Sequence, residues 1–198
     1  MQLRLIEGAA LVTTRGFDAP EVEDTYTRAL ALGIALNDSA ALSGLCNLYL
    51  TRAAFPQVQR IAEQVLALLQ RQPDPVLSML EHNMRGTVQL FVGEAAASLE
   101  HVDRTLAQYD EVAHRHLAIT YGEDPAVASH FCAALSRWII GNAEAAKRRL
   151  RAGLVLARRL VHPFGQAQML WVEAVIALDN SDLDQVELST RRLNKLCT

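Results

Sequence analysis

Small side chains recur about every forty residues along this chain, each in the middle of an apolar helical pattern. They are Gly8, Cys46, Gly86, Ala134 and Ala174. A second small or medium-sized side chain follows each of them at helical-hairpin spacing, at Val22, Val58, Ser98, Ala146 and Val186. A helix needs a small residue where its neighbour approaches closely, because a larger side chain would push the two axes apart. The period therefore predicts stacked helical hairpins and not a single closed core.

The composition is also typical of helices. Hydrophobic residues make up 51% of the 198 residues, but aromatic residues make up only 6%. Alanine and leucine dominate, which favours closely packed helices over a β-sandwich. Because no segment alternates β-branched with polar residues over a useful length, we expect an all-α fold.

The charge and the cysteines indicate which partners and which cellular compartment the protein can have. The formal net charge of −3 provides no basic field for nucleic acid, so direct nucleic-acid binding is not expected. The three cysteines are odd in number and far apart in sequence, which is typical of a protein in a reducing compartment and not of a disulfide framework. The chain has no signal-peptide pattern and no uninterrupted run of about 18 apolar residues. We expect a cytoplasmic protein that does not contact a membrane.

Capping signals divide the chain into hairpins. Asp74-Pro75 and Asp124-Pro125 each combine a helix-capping side chain with a proline suited to the first turn, and Asn142 and Ser181 can cap the helices that follow them. These signals predict one helical repeat domain over 1–198. Its five hairpins are 2–35, 39–71, 76–110, 125–161 and 164–197.

One segment breaks the period. Equivalent positions are 40 residues apart from the second to the third unit and from the fourth to the fifth, but 48 apart from the third to the fourth. The extra residues fall at 110–123. Insertions in repeat proteins lie on one face, often the binding face.

The repeat pattern resembles the tetratricopeptide repeat. The second unit carries small and apolar residues at the positions of that motif: Leu42, Leu45, Cys46, Tyr49, Phe55, Val58, Ala62 and Val65. The third unit departs from the motif, with His82, Arg85 and Gln89 where larger apolar residues are usual. The resemblance implies a right-handed α-solenoid of about five degenerate, lengthened hairpins.

A narrower resemblance concerns the region around the insertion. The sequence from His114 to Pro125 and the later His162-Pro-Phe164 are similar to the C-terminal repeat region of large bacterial signalling ATPases. In those proteins an ATPase module precedes the repeats, with a nucleotide-cyclase or helix-turn-helix effector further upstream. The resemblance implies that this chain is a fragment of a larger signalling protein.

The sequence offers little that is typical of catalysis. It has no metal-ligand spacing, no nucleophile elbow and no glycine-rich phosphate loop, so we expect no enzyme activity, no metal and no cofactor. The histidines His82, His101 and His130 could meet only through the fold. The helix over 144–160 is rich in arginine, which fits either a solvated outer face or a basic stripe for an acidic partner.

The candidate site is a groove along the first helix of each hairpin. In the tetratricopeptide family, particular positions of these helices line a concave surface. Carried over to this chain, they predict a partner-binding groove of Asn47, Asn83, Thr87, Phe91, Phe131, Trp138 and Trp171. Aromatic side chains would supply contact area there, and amides would bond to an extended backbone. The alternative is that the aromatic residues are ordinary core, covered by neighbouring hairpins or by 110–123.

The leading interpretation is a non-catalytic regulatory module that binds a protein, a peptide or its parent's own ATPase domain. One alternative is the regulatory region of a transcriptional activator, and another is a sensor with a small-ligand pocket among Phe131, Trp138 and Trp171. The last hairpin has no following unit to cover it. We therefore expect self-association through its apolar stripe, or coverage by further residues.

Overall fold

The described part of the chain consists of helices, and no strand occurs in it. The structure is a computed structural model that describes residues 19–33, 39–71 and 73–196, together with residues 11 and 15. Its helices are α1 (Pro20–Gly33), α2 (Ser39–Thr51), α3 (Phe55–Arg71), α4 (Pro75–Phe91), α5 (Ala95–Gln108), α6 (Glu111–His114), α7 (Leu117–Tyr121), α8 (Pro125–Ile139), α9 (Ala143–Arg159), α10 (Pro163–Asp179) and α11 (Leu183–Asn194). The prediction of an all-α fold is confirmed for these residues.

Four consecutive helical pairs follow the predicted division. They are α2 with α3, α4 with α5, α8 with α9, and α10 with α11, and their ends agree with the predicted hairpins to within about three residues. Most of the predicted first hairpin, including Gly8, lies outside the described residues. Among its described residues, those of α1 form a helix that packs on α2.

A left-handed residue occupies the turn of each of these four pairs. Ala53, Gly93, Gly141 and Ser181 have φ values of 53°, 90°, 81° and 58°. They are 40, 48 and 40 residues apart, which is the spacing of the sequence repeat. The turns therefore preserve the repeat in backbone geometry, even where alanine or serine replaces glycine.

Side-chain caps fix the beginnings of the helices. Asp74 accepts a hydrogen bond from the amide of Leu77 at 3.0 Å, and Asn142 accepts one from Ala145 at 3.2 Å. Both caps confirm the prediction. The cap predicted at Ser181 is wrong by one residue: Ser181 forms the left-handed turn, and Asp182 caps α11.

The close approach predicted at Gly86 is present. A Cβ atom built on Gly86 would lie 2.5 Å from Cγ1 of Val102 and 3.2 Å from the carbonyl oxygen of Ser98. Both neighbours belong to α5, and Ser98 is fully buried. Helices α4 and α5 therefore pack at a distance that only glycine permits here.

The insertion at 110–123 is partly structural. It forms α6 and α7, and its Leu117 and Tyr121 are buried in an apolar cluster with residues of α1, α2, α3 and α4. A second apolar cluster joins residues of α5, α8, α9 and α10. The first helices of the four pairs contact one another in the order α2, α4, α8, α10, and this row positions the site.

Within the described ranges, no helix combines the length and the apolar character needed to cross a bilayer.

Candidate functional site

The first helices of the four pairs jointly enclose a pocket of about 160 Å³. Its walls come from α2, α4, α8 and α10, and its polar floor includes the residue just before the cap of α8. The lining residues are Asn47, Leu50, Thr51, Thr87, Phe91, Glu123, Ala128, Phe131, Cys132, Phe164 and Gln168. Residues from positions far apart in sequence thus converge on one cavity, because the first helices of the four pairs lie side by side.

Four residues of the predicted groove line this pocket: Asn47, Thr87, Phe91 and Phe131. A fifth, Trp171, lies beside it and stacks on Phe131 with ring centroids 5.7 Å apart and planes 23° apart. The structure therefore brings five of the seven predicted residues to one place.

The other two predicted residues have different surroundings. Asn83 is buried, and its amide nitrogen donates to the carbonyl of Pro125 at 3.3 Å and to the hydroxyl of Ser129 at 3.0 Å. These bonds join α4 to α8, so the predicted role of Asn83 as a donor to a ligand is not supported. Trp138 packs against the second apolar cluster, and its Nε1 donates to Asp179 at 2.8 Å. Trp138 does not line the pocket.

The residue that sequence reasoning missed is Glu123, the last residue of the insertion. Three local features hold its backbone. Gly122 adopts a left-handed conformation with φ 75° that ends α7. Asp124 caps α8 by accepting from the amides of Ala126 and Val127, both at 3.0 Å. The hydroxyl of Tyr109 donates to Asp124 at 2.8 Å. The insertion therefore places the carboxylate of Glu123 among the residues that line the pocket.

Two amide side chains bind the carboxylate of Glu123. Nε2 of Gln168 on α10 donates to it, and so does the side chain of Asn47 on α2. Burial raises the pKa of Glu123 to about 7, and the negative charge of Asp124 adds to this effect, whereas the two amide hydrogen bonds act in the opposite direction. Glu123 is therefore a carboxyl group that changes charge near neutral pH.

The neighbouring thiols are uncharged. Burial, and then the charge of Glu123, raise the pKa of Cys46 far above its usual value. Burial is also the main cause that raises the pKa of Cys132 to about 12, and Glu123 contributes in the same direction. Thiols in this state are poor nucleophiles, so they serve as small apolar side chains.

Aromatic rings form the rim of the pocket. Phe91 is 49% exposed and stacks on Phe55 with centroids 6.2 Å apart, and Trp171 is 46% exposed. Phe164 is also exposed, on the first turn of α10. Exposed rings next to a cavity are a common feature of binding surfaces.

The fold brings two of the three histidines together and leaves the third apart. His82 and His101 meet, with their Nδ1 atoms 3.0 Å apart, and burial lowers the pKa of both. His130 lies apart from them, near Arg149, and burial lowers its pKa to about 4. The described residues contain no group of three or more His, Cys, Asp or Glu placed to bind a metal ion.

The arginine-rich helix α9 borders a larger hollow of about 570 Å³, whose walls also include His130. Arg149 pairs with Asp103 at 3.0 Å, and Arg159 pairs with Glu111 at 2.6 Å. Glu111 balances Arg159, but Asp103 is shared between Arg149 and Arg137, so the two carboxylates offset only part of the positive charge at the hollow. The pocket at Glu123 is the stronger candidate site, because four of the predicted groove residues line it.

The signal that could have identified Glu123 is the insertion itself, which interrupts the repeat at a point where extra residues often reach the binding face. The burial of Glu123 and its two amide partners could not be predicted, because they depend on how α2 and α10 are placed.

No protein-family model matches this chain, and no curated protein matches its sequence.

Proposed function

We propose that this chain is a non-catalytic interaction module of a bacterial signalling protein, built as a right-handed solenoid of about five degenerate tetratricopeptide-like hairpins. It binds an extended segment of a partner protein, or of the parent's own ATPase or effector domain, along the first helices of its hairpins. The single observation that carries the proposal is the aromatic-rimmed pocket to which α2, α4, α8 and α10 all contribute.

The geometry of the pocket favours a bound segment over catalysis. The nearby thiols are held in the neutral form, and the pocket offers amide, hydroxyl and carboxyl groups beside exposed rings. Such a mixture suits an extended backbone with one anchoring side chain. The repeat architecture supports the same interpretation, because stacked hairpins present extended surfaces for binding.

A second candidate is a sensor for a small ligand, and the convergence of four helices on one pocket of about 160 Å³ favours it. That volume is well below the range of about 300–1,000 Å³ typical of small-molecule sites. The pocket is therefore better matched to a single side chain than to a whole metabolite.

The test is selection from a random linear peptide library on the immobilised chain, with a Phe131→Ala variant as the matched control. Phe131 is a partly buried wall of the pocket and the ring on which Trp171 stacks. We expect peptides that the parent protein retains and that the variant releases. If every retained peptide binds both proteins equally, the groove is not the binding surface.

Self-association through the last pair remains part of the proposal. Leu183 and Leu188 of α11 are 68% and 50% exposed. Exposed apolar side chains on a terminal helix are what a further repeat or a second copy would cover. Leu193 and Leu196 of the predicted stripe pack instead against the second apolar cluster.

A further inference from the structure

We propose that the pocket at Glu123 binds the ammonium group of a lysine side chain in the partner segment, so that this lysine anchors the segment. This inference rests on the proposed function, because it names the chemistry that the same groove would select. It is argued from the acceptors, the walls and the charge of the pocket.

The polar lining of the pocket includes hydrogen-bond acceptors. Glu123 carries a carboxyl group, and the hydroxyl of Thr87 donates its own hydrogen to the carbonyl of Asn83 at 2.9 Å. Oε1 of Gln168 is buried and has no hydrogen-bond partner among the described residues. A buried acceptor without a partner is costly, and a donor from a ligand would remove that cost.

The charge of the pocket is also unbalanced. No lysine, arginine or histidine is among its lining residues, and none of the described ion pairs involves Glu123. Its nearest charged neighbour, Asp124, has the same sign. A cation entering the pocket would therefore pair with a carboxylate that the described part of the protein leaves without a basic partner.

The walls suit a flexible aliphatic chain that ends in a cation. Leu50, Phe91, Phe131 and Phe164 line the same pocket as Glu123. Phenyl faces attract cations, and the methylene groups of lysine pack against apolar surface. An ammonium group has three donors that point in different directions, so it can reach acceptors on separate elements such as Glu123 and Gln168.

The direct test titrates the whole chain with n-butylammonium chloride at constant ionic strength, and uses n-pentanol as the uncharged probe of similar length. The side-chain amide NMR signals of Gln168 and Asn47 report occupancy of the pocket, because both amides contact Glu123. We expect a saturable response to n-butylammonium that is at least about tenfold weaker in Glu123→Gln. An equal response to n-pentanol, an unchanged response in Glu123→Gln, or no saturable response to either probe would overturn the inference.

The matched control is Glu100→Gln, an exposed carboxylate on α5 away from the pocket. It should bind n-butylammonium as the parent protein does. Equal thermal melts of the two variants and the parent would show that weaker binding by Glu123→Gln is not a result of unfolding.

Affinity should also depend on pH. The charged or titratable groups that face Glu123 are Asp124 on its own turn, Cys46 on α2 and Cys132 on α8, and both thiols stay neutral near pH 7. Affinity for n-butylammonium should rise by about tenfold or more between about pH 5.5 and about pH 8, as Glu123 ionises. A flat profile would contradict the raised pKa of Glu123, and a flat profile with an unchanged response in Glu123→Gln would overturn the pairing.

A second arm connects the pocket to a peptide. Among library peptides that depend on Phe131, replacement of the selected lysine by norleucine should weaken binding by about tenfold or more. If Phe131-dependent peptides show no selected lysine, this inference is overturned and the proposed function stands. If no peptide depends on Phe131, the proposed function fails, and the n-butylammonium titration still decides whether the cation site exists.

Discussion

Gln168 donates a side-chain hydrogen bond to Glu123 from a helix that begins 40 residues after it. The bond joins α10 to the turn before α8, and Asn47 of α2 approaches the same carboxylate. One carboxyl group of the insertion thus connects the second and fifth predicted hairpins.

Glu123 should make stability depend on pH. Its folded pKa of about 7 lies above the ordinary value of 4.5, so the folded state binds the extra proton between these values. Because the folded state binds this proton more tightly than the unfolded state, the free energy of unfolding of the parent protein should fall as pH rises from about 4.5 to about 7. Glu123→Gln has no carboxyl group at this position, so its stability should not fall for this reason. The advantage of the variant should therefore grow by up to about 3 kcal/mol between about pH 5 and about pH 8.

Thermal or denaturant unfolding of both proteins at the two pH values would measure this. The difference in unfolding free energy between the two proteins isolates the effect of Glu123. The lowered pKa of His130 makes stability change with pH in the opposite direction, but this effect is present in both proteins and cancels. A difference that does not change with pH would contradict the burial of this carboxylate.

Gly86 should be intolerant of a side chain. Gly86→Ala should destabilise the protein by about 1–3 kcal/mol, because the new methyl group would overlap Val102. The loss should be smaller when Val102→Ala is already present, which makes room for the methyl group. Denaturant unfolding of the four proteins in this double-mutant cycle measures the coupling. Purely additive losses would mean that α4 and α5 are further apart than described.

The left-handed turns predict opposite effects at equivalent positions. Gly141→Ala should cost about 1–2 kcal/mol from backbone strain alone, since a Cβ atom there would meet nothing within 4 Å. Ser181→Gly should instead relieve strain at the matching turn and gain up to about 1 kcal/mol. Melting temperatures of the two variants test this, and effects of equal sign would argue against a shared turn geometry.

Trp138 should contribute to stability and not to binding. Trp138→Ala should lose stability, toward the lower end of the range of about 3–5 kcal/mol for a buried tryptophan, because this side chain is only partly buried. Asp179→Ala removes the acceptor of its indole and should cost about 1 kcal/mol. Both variants should retain library peptides that depend on Phe131. If a well-folded Trp138→Ala protein no longer retained those peptides, Trp138 would be part of the binding groove.

Local signals made most of the fold predictable. Asp74 and Asn142 cap their helices through short-range chemistry that the sequence displays directly, and Gly86 marks a close contact by its size. The family pattern also predicted that Phe91 and Phe131 would share a surface, because it assigned both to the concave face of their hairpins. Asn83 could not be assigned in the same way, since its partners Pro125 and Ser129 belong to another repeat. Glu123 was missed because its burial depends on the packing of the insertion and not on its neighbours in sequence.

The most direct test of the central claim compares one peptide, selected on the parent protein, for its affinity to the parent protein and to Trp171→Ala by calorimetry. Trp171 is half exposed and stacks on the pocket wall, so its removal should leave the fold intact while it removes contact area. We predict an unchanged melting temperature and binding weaker by about tenfold or more. Unchanged affinity for Trp171→Ala, together with unchanged affinity for Phe131→Ala, would contradict a binding site formed by the first helices of these hairpins.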